Sequence, residues 1–279
     1  MGLSLPLSGK KSHRSMLPAS LHHQSLYNLA KSLCAGGFAR AADLIVPPTC
    51  LSCECAVARS GLLCADCWSS TRFIEKPYCA ILGSPFSYDM GDEVLSASAI
   101  AKPPVFDRAR AAVLYDDVAR KLVHGLKFSD RTELAPWMAR WMLRAGSELL
   151  DDRCVIVPVP LHRTRLISRK FNQSAELARH IARLCGLHYR ADVLQRIRPT
   201  VQQVGLRSVE RHRNVQGAFR VPADQEITIH SKHVILIDDV LTTGATLQAC
   251  ARALRRKGAA KIDCLTFARV ANGVAPTDI

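Results

Sequence analysis

The run Val234-Ile235-Leu236-Ile237-Asp238-Asp239-Val240-Leu241-Thr242-Thr243-Gly244-Ala245-Thr246 constrains the fold of this chain more than any other stretch. Four consecutive apolar residues fit a strand buried on both faces, as inside a parallel sheet, and the two acids are expected where that strand ends. The Thr- and Gly-rich loop then opens an amphipathic helix over about 246–257, with Leu247, Cys250, Ala251 and Leu254 inward and Gly258 as its stop. Such a loop brings backbone N–H groups close to an anion, and the helix behind it adds the positive end of its dipole. Carboxylates repel a phosphate, so Asp238 and Asp239 are expected to face hydroxyls or a cation: a ribose diol, with Mg²⁺ nearby.

The rest of the pattern supports a sheet around that strand. Residues 112–115 predict a short strand, and Asp116 or Asp117 caps a helix carrying Val118, Leu122, Val123 and Leu126 on one side. Lys121, His124 and Lys127 fall toward the other side, where Lys127 reads as an exposed helix-end cation. A second helix over about 133–149 holds Leu134, Trp137, Met138, Trp141, Met142 and Leu149 at core spacing. Further strands are expected at 154–157 and 261–267, with a helix capped by Asn172 running to about Cys185. This alternation predicts an α/β fold, a parallel sheet flanked by helices. The 279 residues leave room for a sizeable core. No apolar run approaches the roughly 18 residues of a membrane span, so no membrane insertion is expected. No internal repeat is legible.

Cys50-x-x-Cys53 and Cys64-x-x-Cys67 are two thiol pairs separated by ten residues. Each pair can present two sulfurs to one ion, and together they close a Cys₄ tetrahedron with no open position. This predicts a structural zinc ribbon. Cys55 lies between the pairs, but only Cys53 stands two residues beyond Cys50 in the knuckle spacing. With no export signal legible, disulfides are not expected and a cytoplasmic location is. Residues 1–20 carry Lys10, Lys11 and Arg14 and no acid, which predicts a disordered basic tail. Residues 21–104 then form a helix and ribbon module, and 105–279 the α/β domain.

The formal net charge of +14 is focused: between Leu161 and Arg220, 13 Lys or Arg stand against 3 Asp or Glu. Such a concentration points to phosphorylated ligands or a nucleic-acid backbone. The strand at 154–157 runs into Pro158-Val159-Pro160-Leu161-His162-Arg163-Thr164-Arg165, which predicts a rigid loop with donors at its tip. The next residues predict a flexible basic cover that includes Arg169, Lys170, Asn172 and Gln173. Ligands of open parallel sheets bind beyond the carboxyl ends of strands, where both loops begin.

The 234–246 string resembles the phosphoribosyl pyrophosphate (PRPP) motif of type I phosphoribosyltransferases. The resemblance implies that fold, gives the ribose hydroxyls to Asp238 and Asp239, and gives the 5′-phosphate to Thr242, Thr243, Gly244, Ala245 and Thr246. It makes Pro160, Leu161, His162, Arg163 and Arg165 the pyrophosphate loop, with the two arginines holding the departing diphosphate. Lys127, within a string from Tyr115-Asp116 to Lys127-Phe128, becomes a candidate ligand contact. Members that use 6-oxopurines carry an acid where this chain has Thr242, so the acceptor is not specified.

A Cys-rich module ahead of this motif resembles the ComF/GntX family of competence-associated proteins, many of which carry a double zinc ribbon. Here Cys79 opens the second ribbon, but Leu82 stands where its partner belongs and no Cys follows until Cys154. The second metal site is therefore expected to be lost, leaving Cys79 as a small hydrophobe. Phe171-Asn172-Gln173-Ser174, Gly205-Leu206 and Arg213-Asn214-Val215 also match, with Val201 where Pro is usual. The resemblance implies phosphoribosyl transfer from PRPP with Mg²⁺ and release of pyrophosphate. It alternatively implies a non-catalytic part in DNA uptake, binding single-stranded DNA and a competence helicase.

Overall fold

The alternating pattern folds as a parallel sheet with helices on both faces. The computed structural model describes residues 47–91, 93–129, 131–169, 171–199 and 214–271, without the side chains of Arg165 and Ser168. The expected tail, the helix after it, Lys170 and the basic stretch 200–213 lie outside the described residues. The helices and strands run α1 (Ala65–Ser70), α2 (Ala97–Ala101), β1 (Arg108–Leu114), α3 (Asp117–Phe128), α4 (Ala135–Ala145), β2 (Val155–Pro158), α5 (Arg163–Arg169) and α6 (Gln173–Cys185). They continue through β3 (His188–Tyr189), β4 (Gln195–Arg196), β5 (Phe219–Arg220), α7 (Glu226–Ile229), β6 (His233–Leu241), α8 (Ala245–Arg255) and β7 (Lys261–Arg269).

The main sheet has the order β1-β7-β6-β2-β3, all parallel, and β4 and β5 pair as a separate antiparallel ribbon. Val234 to Ile237 are fully buried because β6 is paired on both sides and covered on both faces. On one face α3, α4 and α6 set Leu126, Met138, Met142 and Leu177 against Ile156, Ile235, Ile237 and Phe267. On the other, α8 sets Leu247, Cys250 and Leu254 against Val157, Val234, Leu236 and Ile262.

The strand does not stop at the acids as expected. Its pairing with β7 continues to Leu241 opposite Arg269, so Asp238 and Asp239 lie inside β6. The physical reason is the length of the neighbours: β7 runs nine residues, whereas β2 ends at Pro158, opposite Ile237. From Asp238 onward β6 keeps one paired edge while β2 has turned away. A crevice beyond strand ends opens there.

Residues from Thr49 onward form one compact unit. The cysteine-rich segment lies along the outer edge of β1: the Ala109 N–H donates to the Ile81 carbonyl at 2.7 Å, the Leu114 N–H to the Arg72 carbonyl at 2.8 Å, and Phe73 bridges Val113. An exposed edge strand is an aggregation template, and this covering removes it. Gly61, at φ +84°, seats the first ribbon on α4 so closely that a Cβ there would lie 1.9 Å from the Trp137 ring. Trp68, Phe73 and Trp141 form an aromatic group, with Trp141 stacked on Phe267 of β7. Trp137 and Trp141, read as core residues, are only partly buried and serve this junction.

One backbone pattern occurs twice in this segment, the second time without its metal ligands. Thr49 bridges Ala56, and Tyr78 bridges Pro85. The Cys64 N–H donates to Cys50 Sγ at 3.3 Å, and the Ser96 N–H donates to Cys79 Sγ at 3.2 Å. Cys64 caps α1 with its sulfur as Ser96 caps α2 with its hydroxyl. The positions equivalent to Cys53, Cys64 and Cys67 are Leu82, Ser96 and Ala99, so the ligands are gone and the hydrogen bonds remain. Cys79 is buried as a small hydrophobe would be, yet its sulfur also accepts backbone N–H groups from Leu82 and Ser96.

Candidate functional site

At the carboxyl end of β6 two neighbouring carboxyls have different partners. Asp239 Oδ2 lies 3.0 Å from Lys127 Nζ, and their side chains are 13% and 9% exposed. Lys127 is therefore not the solvent-facing cation that its place in the last turn of α3 predicted; the ion pair draws it inward. Asp238 Oδ1 accepts from Ser174 Oγ at 2.8 Å and from the Asp239 N–H at 3.0 Å. Burial, and after it the adjacent Asp239 charge, push the Asp238 carboxyl up to about 7 against the pull of Ser174 and Lys127.

Ser174 is presented by the start of α6. Asn172 caps that helix by accepting the Ser174 N–H at 3.1 Å, while its amide donates to the Val159 carbonyl at 3.0 Å, fastening α6 to the exit from β2. On the far side, Gly244 adopts the left-handed conformation at φ +74° that lets the loop turn directly into α8. The first N–H groups of a helix lack intrahelical partners, and together with the dipole they favour an anion. The cleft between these elements is lined by Lys127, Arg169, Gln173, Ser174, Arg196, Asp238, Asp239, Thr242, Gly244, Ala245 and Thr246. The lining thus combines two carboxyls, suited to hydroxyls, with three cationic side chains and the turn into α8, suited to phosphate.

A second constellation is the cysteine cluster. The sulfurs of Cys50, Cys53, Cys64 and Cys67 all lie within 4.8 Å of one another, with Cys53 and Cys64 3.6 Å apart. A zinc ion bound tetrahedrally at about 2.3 Å asks for sulfur separations of about 3.8 Å, so the donor set fits a structural Zn²⁺. Burial would raise the Cys50 thiol, but backbone N–H groups of Cys53, Cys64 and Ser52 outweigh it and bring it down to about 6, favouring the thiolate. Cys55 Sγ lies 3.4 Å from Cys53 Sγ but falls outside the mutually close set.

Residues 41–99 match the double zinc ribbon domain family, and residues 174–279 match the phosphoribosyl transferase domain family. The DNA utilization protein YhgH of Escherichia coli is 32% identical over 234 residues, covering 81% of this chain and 99% of that protein. The chain belongs to the ComF family. Competence protein F of Haemophilus influenzae is 26% identical over 76% of this chain and 92% of its own length. Competence protein ComFC of Bacillus subtilis is 26% identical over 74% and 84% respectively.

In this ComF-family chain the sequence-predicted residues are distributed unevenly around the cleft. Asp238, Asp239, Thr242, Gly244, Ala245, Thr246, Leu161, Arg169 and Gln173 line it. The Thr243 hydroxyl instead accepts the Ala245 N–H at 3.4 Å. Pro160 and His162 are half-buried, Arg163 is exposed, and the side chain of Arg165 is outside the described residues. The expected rigid loop is helix α5 from Arg163 onward, a correction with a local cause: no Gly or Pro stands between Pro160 and Gly186, and His162 Nδ1 lies 2.9 Å from the Thr164 hydroxyl at the helix start. Two lining residues were not singled out from sequence. Ser174 closes the Phe171-Asn172-Gln173-Ser174 string. Arg196 belongs to the basic 161–220 region, but nothing in its spacing separates it from the other cations there.

Proposed function

We propose that the cleft binds PRPP or a related ribose 5-phosphate and supports phosphoribosyl transfer to a nitrogen nucleophile. The observation that carries this reading is that Asp238 and Asp239 line one and the same cleft as Thr242, Gly244, Ala245 and Thr246 at the start of α8. Ribose hydroxyls donate to the two carboxyls, and the 5′-phosphate takes N–H groups of the turn. In the reaction the bond from C1 to the diphosphate oxygen breaks, a bond from C1 to nitrogen forms, and pyrophosphate departs with the electron pair. Mg²⁺ would arrive with the diphosphate and share its charge. Lys127 holds Asp239 in place through their ion pair, and Arg169 and Arg196 add positive charge to the lining, so the chain's own part is positioning and charge stabilisation.

Calorimetric titration of the full-length protein with PRPP and Mg²⁺ tests this. Binding is expected in the wild type and is expected to disappear in an Asp238→Asn/Asp239→Asn double variant. A screen of nitrogen acceptors for pyrophosphate release then tests turnover. Absence of PRPP binding in the wild type overturns the reading.

The relatives are named for DNA utilization and competence, which favours a second reading, a non-catalytic part in DNA uptake; in this reading we propose a cytoplasmic protein with single-stranded DNA and a helicase as its partners. The net +10 between Leu161 and Arg220 suits a phosphate backbone. This reading predicts DNA affinity that falls steeply with salt and survives the double Asn substitution.

A further inference from the structure

At the amino-terminal end of the sheet, opposite the cleft, a different set of side chains converges. His233 opens β6 and Cys154 immediately precedes β2; the pairing of Val155 with Val234 sets them side by side. His233 Nδ1 lies 3.3 Å from Cys154 Sγ and 2.8 Å from Asp151 Oδ2. Its other nitrogen, Nε2, lies 3.1 Å from Asp263 Oδ2, a fully buried carboxylate that also takes Arg108 Nη2 at 2.8 Å. The Asp151 N–H donates to Cys154 Sγ at 3.1 Å.

We propose that Asp151, Cys154 and His233 form a second metal site, suited to Zn²⁺ or a similar borderline divalent ion. Without an ion, His233 carries both ring protons and pairs with Asp151 on one side and Asp263 on the other; a metal ion displaces the Nδ1 proton, and Asp263, which keeps Nε2–H, then leaves the Nδ1 lone pair facing Asp151 and Cys154. A carboxylate behind a ligating histidine is the usual outer shell of a zinc site. Lone pairs on nitrogen, oxygen and sulfur then meet at one place. A proton on Nδ1 can be directed at one of the two acceptors, whereas a divalent ion satisfies all three donors. The three ligand atoms lie within 4.8 Å of one another; tetrahedral zinc asks for separations of about 3.3–3.7 Å, so Nδ1 and Sγ at 3.3 Å already fit, while the Nδ1–Oδ2 pair at 2.8 Å opens by about 0.5 Å through the half-exposed Asp151 side chain when the ion enters.

The neighbouring cations do not compete for this place. Arg108 and Lys261 both reach Asp263, Lys261 at 3.5 Å, and not the three ligands. Cys154 is fully buried while the Asp151 side chain is 53% exposed, which gives the ion an entry side and leaves a fourth position for water. A mixed N/O/S donor set disfavours Mg²⁺ and Ca²⁺, which prefer oxygen alone. The bound ion would fasten the turn before β2 to the first residue of β6.

The test is metal content and spectroscopy on the full-length protein. After dialysis against Zn²⁺ and desalting, elemental analysis is expected to find two zinc ions per chain, and one in Cys154→Ser and in Asp151→Asn. In cobalt-reconstituted protein, the thiolate-to-cobalt absorption is expected to fall in Cys154→Ser while the signal of the Cys₄ site persists. Asp151 is at the surface, so its variant reports on the site even where Cys154→Ser disturbs folding. One zinc in the wild type overturns the proposal, and so do two zinc ions retained by either variant.

Discussion

Asp238 and Asp239 are chemically identical neighbours that the fold makes unequal. Asp239 has a lysine at 3.0 Å, whereas Asp238 has a hydroxyl and a backbone N–H, and burial beside Asp239 raises it from 3.8 to about 7. A carboxyl whose folded pKa is raised contributes stability that is complete below about pH 4 and is lost as pH rises through about 7, because the unfolded chain gives up its proton first. Replacing Asp238 with Asn removes this titration. Between pH 4.5 and 8 the wild type is expected to lose about 3 kcal/mol relative to Asp238→Asn, read from urea midpoints at each pH. Parallel pH profiles for the two proteins would refute it. Lys127→Met probes the other acid: it keeps the stem but leaves Asp239 without its ion-pair partner, at an expected cost of about 3 kcal/mol in the same assay. The acids were legible in sequence as a motif. The pair with Lys127 was not, because helical periodicity places that residue only on the polar side of α3, and the polar side of its last turn faces β6 across the cleft.

Elements became legible in proportion to the length of their buried pattern. The helices α3, α4, α6 and α8 repeat apolar residues at three- and four-residue steps over 11 to 13 residues, and each occurs close to its expected place. β3, β4 and β5 have two residues each, too few for any period to register. The extension of β6 past Ile237 was hidden for another reason: two acids interrupt the apolar run, and only the partner strand β7 reveals that pairing continues. The second ribbon was legible only by resemblance at Cys79; what holds it, hydrogen bonds to Cys79 Sγ and a serine cap, leaves no cysteine spacing to read. Gly61 is a case where an element's position depends on one missing atom. Gly61→Ala forces a left-handed alanine and a clash with Trp137, with an expected loss of about 2–4 kcal/mol. Denaturant unfolding measures the loss, and a shift in tryptophan emission would place it at the junction with α4. An unchanged midpoint would mean that the ribbon does not seat on α4 as described.

For the molecule as a whole, the edge of β1 decides how zinc and sheet are coupled. Cys50, Leu51 and Cys67 belong to the same buried cluster as Val113, Leu126, Met138 and Phe267. Arg110 of β1 donates to the Ala80 carbonyl at 3.0 Å, and Arg269 of β7 hydrogen-bonds the Leu82 carbonyl. Both copies of the ribbon pattern are therefore tied to the sheet, one through apolar packing and one through arginines. None of this was visible in the cysteine spacing, which predicted the metal site and said nothing of the strand it covers. A ribbon that only decorated the sheet would unfold alone when its ion is removed. A ribbon that completes the sheet edge must take the sheet with it. Removing zinc with a chelator is expected to lower the melting temperature of the full-length protein by about 5–15 °C while leaving one calorimetric transition, since each kcal/mol lost moves a domain of this size by about 2–4 °C. Two transitions, with the upper one at the temperature of the zinc-loaded protein, would show that the ribbon and the sheet are energetically independent.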